Sequence, residues 1–312
     1  MTYISDHRKK PEKGKHPMNR RRFLASSGTT AVFLASGIPG KGDGDVNAAP
    51  ITPELTFGII TDLHYADKDP WNTRYYRDSA EKLRRAIAAF NDENAAFVIE
   101  LGDLIDKADK DIEFGYLATI DGIFDSFNGR RYYVLGNHDV ATFTKTEFMR
   151  ACGMEKNYYS FELYGRHFIV LDANYNSDGS PYIAGNFDWT ETYIPESELA
   201  WLKGDLERAK DMQTIVFIHQ NLHDETDPHG VKNAPEVRRV LENAGNVRVC
   251  FQGHMHTGGD ETVNGIEYFT LRAAVEGPGM DNESFAIVRL KSDGSIMVEG
   301  HGKQPGGEIT AS

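Results

Sequence analysis

The chain has 312 residues, 40% hydrophobic and 26% charged, with a formal charge of −13. That length suits one large α/β domain or two small ones, and no run of about 18 apolar residues is present to form a permanent transmembrane helix. Residues 1–48 hold nine of the 34 basic residues and four of the 47 acidic ones, so the remainder carries −18. A body that acidic argues against a nucleic-acid binder, whose contacts are mostly to phosphates.

The basic beginning has the order of a removable export signal. Arg20, Arg21 and Arg22 precede Phe23 and Leu24, and a weakly apolar Gly/Ala/Ser-rich stretch runs to about Ile38. A Gly/Asp linker then reaches "VNAAP", where Ala48 ends a small-residue cleavage site. Arg-Arg-x-Phe-Leu resembles the bacterial twin-arginine signal. It implies the twin-arginine export machinery as a partner and a periplasmic or extracellular destination, with no stable membrane anchor. Met18 is an alternative start to Met1. The expected division is 1–48 signal and linker, 49–302 one folded domain, and 303–312 a tail. Of the two cysteines, Cys250 lies in the apolar run "VRVCF" and reads as a buried thiol. No disulfide framework is expected.

From Leu55 the pattern becomes regular. "ELTFGIITD" reads as a strand and "RYYRDSAEKLRRAIAAFNDE" as a helix, with Leu83, Ile87, Ala88 and Phe90 at three- and four-residue intervals. "AAFVIELGD" is a second strand, "IEFGYLATIDGIFDSF" a second helix and "RRYYVLG" a third strand. This alternation predicts βαβ units and a largely parallel sheet with helices outside. "NYYSFELYGRHFIVLDA" reads as a hairpin turning at Tyr164-Gly165. The segment "NYNSDGSPYIAGNFDWTETYIPES" has no period, and irregular chain of that length is uncommon unless it is a lid or binding loop. A helix at "ESELAWLKGDLERAKD", a strand at "QTIVFIH", a helix at "APEVRRVLENAG" and a strand at "VRVCFQGH" follow. The chain closes in β-like runs, "IEYFTLRA", "SFAIVRL" and "SIMVEGHG".

Five of these strands exit into Asp, Asn or His. Asp62 and His64 follow the first. Gly102, Asp103 and Asp106 follow the second, and Gly136, Asn137, His138 and Asp139 the third. His219 follows "TIVFI", and Gly253, His254 and His256 follow "RVCFQ". In parallel sheets functional residues gather at the carboxyl ends of the strands. Asp62, His64, Asp103, Asn137, His219, His254 and His256 are too many ligands for one closed tetrahedral site. They suit two divalent ions sharing a carboxylate. Imidazole with carboxylate and amide oxygen favours Mn, Fe or Zn over Ca. The two-residue spacing within Asp62/His64 and within His254/His256 directs both members of each pair to one side of an extended chain. A lone His is more often a satisfied surface or core residue, and a lone Asp at a strand end is often a helix cap. Five such exits in sequence outweigh those readings.

Asp62-Leu63-His64, Gly102-Asp103-Leu104-Ile105-Asp106, Gly136-Asn137-His138-Asp139, His219 and Gly253-His254-Met255-His256 together resemble the calcineurin-like metallophosphoesterases. The resemblance extends over roughly 55–302 and implies a four-layer α/β/β/α sandwich around two metals. Carried over motif by motif, Asp62, His64 and His256 bind one ion, Asn137, His219 and His254 the other, and Asp103 bridges. The lone His departs from the pattern His-x-Pro, reading His219-Gln220-Asn221-Leu222-His223, which makes His223 an extra imidazole near the site. "FGIITDLHYAD", "FVIELGDLID" and "GHMHTGGDETVNGIEYFTL" are similar to the manganese-dependent ADP-ribose/CDP-alcohol diphosphatases.

The implied activity is hydrolysis of small phosphoanhydrides or phosphodiesters, nucleotide-linked ones first, by attack of a metal-bridging hydroxide. Two divalent ions lower the pKa of a bridging water and clamp the phosphoryl oxygens. His138 is the candidate proton donor to the leaving group, with Asp139 or Asp106 orienting it. For Asp139 a helix cap is the competing reading. His223, Tyr65, Arg74 and Tyr75 are candidate substrate contacts, and the aromatics of the irregular segment, Tyr182, Phe187, Trp189 and Tyr193, are candidates for stacking on a base. Competing activities on the same core are a cyclic-nucleotide phosphodiesterase and a broad phosphomonoesterase. A non-catalytic metal-binding module is the alternative from another class.

Overall fold

The computed structural model describes residues 52–310. The twin-arginine motif, the cleavage site at Ala48 and the choice between Met1 and Met18 lie outside the described residues.

The first third of the domain runs β1 (Leu55–Ile60), α1 (Ser79–Asp92), β2 (Phe97–Glu100), α2 (Lys110–Phe124) and β3 (Arg130–Tyr133). There follow α3 (Lys145–Cys152), β4 (Tyr159–Leu163), β5 (Arg166–Val170), α4 (Glu196–Arg208), β6 (Gln213–Phe217), α5 (Ala234–Ala244) and β7 (Val247–Gln252). The chain ends in β8 (Gly259–Val263), β9 (Ile266–Thr270), β10 (Ser284–Leu290), β11 (Ile296–Gly302) and β12 (Gly307–Ile309).

These strands form two six-stranded sheets, in the orders β12-β11-β10-β1-β2-β3 and β4-β5-β6-β7-β9-β8. Each is mixed rather than largely parallel. The runs β1-β2-β3 and β5-β6-β7-β9 are parallel, and antiparallel strands extend one edge of the first sheet and both edges of the second. The parallel expectation came from the βαβ alternation, and the late strands β10 to β12 return without intervening α-helices.

Period-two side-chain alternation explains the layering. Phe57 and Ile59 of β1, Phe97 and Ile99 of β2, Phe168 and Val170 of β5, Ile215 and Phe217 of β6, and Val249 and Phe251 of β7 fill one core between the sheets. The intervening Ile60 and Val98 face α1 and α2, while Ile169, Val216 and Cys250 face α4 and α5. Three apolar cores between four layers make an α/β/β/α sandwich. Aromatic rings pack the centre, with Phe57 stacked on Phe97 at 4.7 Å and Tyr132 on Phe161 at 3.9 Å.

The hairpin turns where the sequence places it, with Leu163 paired to Arg166. Three elements were not expected: α3, β8 and β12. The last corrects the tail assigned to 303–312, because Gly307–Ile309 pairs with β11. On α1 the expected inward face is shifted. Ala88 is exposed and Lys82 is buried instead. Both cysteines are buried and free. Among the described residues no helix is long and apolar enough to cross a membrane.

Candidate active site

The carboxyl ends of β1, β2, β3, β6 and β7 deliver the polar residues to one place. The chain reaches it through backbone that L-residues rarely adopt. Asp62 (φ 52°), His64 (φ 42°), Asp103 (φ 59°) and His254 (φ 66°) all lie in the left-handed region. Such conformations persist where surrounding structure over-determines them, and they cluster at functional sites. The reason given for the two-residue spacings is therefore corrected. Asp62 and His64 are not on extended chain, and His254 and His256 serve different clusters.

Three groups of side chains gather ligand atoms within 4.8 Å of one another; His64, Asp106 and His138 form one of them, and the other two take in six of the seven expected ligands. Of these two, one is Asp62, His64 and His256, and the other is Asp103, His219 and His254. In the first, the Nε2 atoms of His64 and His256 lie 3.1 Å apart and stand 3.6 and 3.5 Å from Asp62 Oδ1. Asp103 Oδ2 lies between these two groups, 3.5 Å from His64 Nε2 and 3.3 Å from His219 Nε2.

The fit to a metal can be tested on unpaired atoms. Buried polar atoms almost always find a hydrogen-bond partner. Asp62 Oδ1, Asn137 Oδ1, His219 Nε2 and His254 Nε2 are buried and have none. Three of the four belong to the two groups and Asn137 lines the same cleft, so together they make a donor set suited to divalent cations. Burial holds the His64 imidazole down at about 4, helped by neighbouring His138. It also holds His254 well below its usual value, helped by His219. Both thus present the neutral form that metals bind. His219 shifts the other way, to about 9, because the charge of Asp103 outweighs its burial. That buried carboxylate draws positive charge into the site.

A second ring of contacts fixes these donors. His219 Nδ1 donates to the Leu101 carbonyl (2.8 Å), so Nε2 is the ring nitrogen turned towards Asp103. Asp62 Oδ2 accepts from Thr61 Oγ1 (2.7 Å) and the His254 N–H (3.0 Å), leaving Oδ1 free. Asp103 Oδ1 accepts the His138 N–H (2.8 Å), leaving Oδ2. Two glycines permit this density. A Cβ on Gly136 would overlap Asp103 N and Oδ1, and one on Gly253 would overlap Thr61 Oγ1 and press on Asp62 Oδ2.

His256 Nδ1 bonds Glu276 Oε1 at 2.6 Å. Glu276 was not anticipated, since it follows β9 in "AAVEGP" with no motif around it. Its loop is held by Lys82, whose buried ammonium donates to the carbonyls of Ala274, Glu276 and Gly277 at 2.8, 2.9 and 2.9 Å. Val275 N bonds Asp62 O (3.0 Å), closing the circuit back to the first strand exit. Glu276→Gln is expected to weaken metal binding at the His256 position by about 10–100-fold, the usual cost of losing such a partner. Metal counting during dilution would show one equivalent lost before the other.

His138 and its two carboxylate candidates separate. Its Nδ1 lies 3.1 Å from Asp106 Oδ1, and Asp106 Oδ2 pairs with Lys68 at 3.1 Å. The imidazole packs edge-on to His64 at 4.5 Å. Burial works against its charge, but Asp103 and Asp106 outweigh this and raise its pKa. Asp139 does not orient His138. Its two oxygens take the backbone N–H groups of Asp103 (3.0 Å), Leu104 (2.9 Å) and Gly136 (2.9 Å). It clamps the ligand-bearing loops together, and neither a catalytic role nor a helix cap describes it.

A cleft of about 410 Å³ opens over the ligands. Beside Asp103, Asn137, His138, His254, His256 and Glu276, its walls are Trp71, Asn72, Thr73, Arg74, Trp189 and His229. Three of the expected substrate contacts lie elsewhere. Tyr65 packs on Tyr116 (6.0 Å), Tyr75 lines a neighbouring recess, and His223 Nδ1 meets Gln252 Nε2 at 3.1 Å. The extra imidazole at the cleft is His229, held by Asp227 (2.7 Å) and packed against His254 (5.1 Å) and Trp189 (5.4 Å). Nothing local in the sequence distinguishes His229 from His223. Only the loop's path does. The irregular segment contributes Trp189, while Tyr182 is buried and stacks on Phe187 at 3.9 Å.

Comparison with known proteins agrees with this geometry. Residues 55–258 match the family model described as calcineurin-like phosphoesterase. A manganese-dependent ADP-ribose/CDP-alcohol diphosphatase of Mus musculus is 32% identical, over 81% of this chain and 92% of its own length. One from Oryza sativa subsp. japonica is 27% identical, over 82% and 94%. The crystal structure of a dimetal phosphatase from Danio rerio superposes with a TM-score of 0.72 at 24% identity, over 83% of this chain and 99% of that one.

Proposed function

Given that the chain belongs to the calcineurin-like phosphoesterase family, we propose that it holds two manganese ions and splits the diphosphate of small nucleotide-linked substrates of the ADP-ribose and CDP-alcohol type. The chain is a metal-dependent phosphoester hydrolase. The substrate and the number and identity of the ions are the finer reading. The observation that carries the two-ion reading is Asp103 Oδ2, set 3.5 Å from His64 Nε2 and 3.3 Å from His219 Nε2. Asp62, His64 and His256 would hold one ion and Asn137, His219 and His254 the other. Bound there, the ions supply Lewis acidity and the local positive charge that an acidic protein otherwise lacks.

The chain's own residues do the rest. Water attacks one phosphorus, the bridging P–O bond breaks, and the departing phosphate oxygen takes a proton from His138. Asp106, itself paired with Lys68, holds the His138 ring through Nδ1 and leaves Nε2 to the cleft. Arg74 on the cleft wall faces an anionic substrate, and the exposed Trp71 and Trp189 offer stacking surfaces to a base. Relatives that align over nine-tenths of their own length and carry the diphosphatase name support the substrate class.

A panel of ADP-ribose, CDP-choline, cyclic AMP and nitrophenyl phosphate tests the reading. ADP-ribose and CDP-choline are expected to have the highest kcat/KM. Turnover of the monoester alone would sink it.

A further inference from the structure

Beside the metal cleft lies a second recess of about 330 Å³, and the two share Asn72, Thr73 and Glu276 as a common wall. Its lining also includes Arg272, Lys303 and Ser284. Arg272 spends Nη1 on the Thr257 carbonyl (3.0 Å), which leaves the rest of its guanidinium uncommitted. The Lys303 ammonium has no ion-pair or hydrogen-bond partner among the described residues. Ser284 is 2% exposed, and its Oγ is buried without a hydrogen-bond partner. An orphaned buried hydroxyl calls for an explanation, and here it lines a space that also has an unpaired ammonium and a guanidinium committed only through Nη1. Glu276, the carboxylate on the shared wall, is already engaged by His256.

We propose that this recess is a second anion subsite, and that it takes a phosphate monoester carried by the substrate away from the diphosphate being cleaved. The proposal rests on the diphosphatase reading and narrows it. Substrates with a third phosphate on a sugar hydroxyl are bound better than those without. An ammonium, a guanidinium and a hydroxyl donor suit a tetrahedral dianion. In a domain whose net charge is strongly negative, these cations beside a phosphate-processing cleft provide local attraction that the surface as a whole does not. Arg74 lies on the cleft wall next to the shared Thr73, so positive side chains run from the reacting centre into the recess.

The test compares ADP-ribose with its 2′-phosphorylated form. Binding of both is measured by calorimetry on the metal-loaded His138→Ala protein, in which turnover is slow. The phosphorylated compound is expected to bind about 10-fold more tightly. Lys303→Ala or Ser284→Ala in the same background should each remove most of that preference and leave ADP-ribose affinity unchanged. Equal affinities, no binding of the phosphorylated compound, or equal weakening of both by Lys303→Ala would overturn the proposal. Failure of the diphosphatase reading appears separately, as no cleavage of either compound by the unmodified enzyme.

Discussion

His138→Ala is expected to lower turnover of ADP-ribose by about 10²–10⁴-fold, the range for losing a positioned general acid, with metal content unchanged. The separation follows from geometry. His138 touches the metal-ligand set only through its backbone N–H to Asp103 Oδ1 and through ring packing on His64. Alanine keeps the backbone bond. The ring's polar contact is instead with Asp106, which belongs to neither the Asp62–His64–His256 nor the Asp103–His219–His254 group but forms a third with His64 and His138. Turnover and metal analysis on the same preparation decide the matter. A variant with full turnover would remove His138 from the chemistry, and one that had lost its metals would make it structural.

Asp103→Asn is expected to do the converse and lose both ions. One oxygen of this carboxylate is committed to the His138 N–H, and the other faces both ligand groups. The amide removes the charge that both share and puts a donor at one of these two positions. Metal affinity should fall by more than the roughly 10–100-fold of an outer partner such as Glu276, with activity following it. The loop itself should persist, because Asp139 holds the N–H groups of Asp103 and Leu104 independently of the Asp103 side chain. Metal counting alongside thermal unfolding checks this. Retention of one full equivalent would show that Asp103 belongs to a single site.

The ligand set was legible because each member follows an apolar strand, and two parallel runs bring those ends together. The order of motifs carried the rest. Elements with short or mixed signals were passed over. α3 is only eight residues long, yet it carries a capping box, Thr144 with Glu147, and ends on Gly153 at φ 71°. β8 is mostly exposed, so no apolar alternation marks it.

Asp106 as partner to His138 was legible across 32 residues of chain, but other long-range partners carried no mark in the sequence. Glu276 meets His256 and Lys82 meets Ala274 across 20 and 192 residues of chain. A lysine at a buried position of α1 reads locally as surface, because its three carbonyl partners belong to a distant loop. Asp139 was misread for the same reason. Adjacency to His138 implied an interaction, whereas its oxygens face backbone from the neighbouring strand exit. Among the aromatics, exposure rather than sequence position separated Trp71 and Trp189 at the cleft from the buried Tyr182.

The most direct measurement strips the protein with a chelator, restores manganese stepwise, and follows bound metal and ADP-ribose hydrolysis together. Two equivalents should bind, with hydrolysis absent in the stripped protein and returning as the second equivalent is filled. Full hydrolysis without metal, or saturation at a single equivalent, would contradict a two-ion diphosphatase built on Asp103.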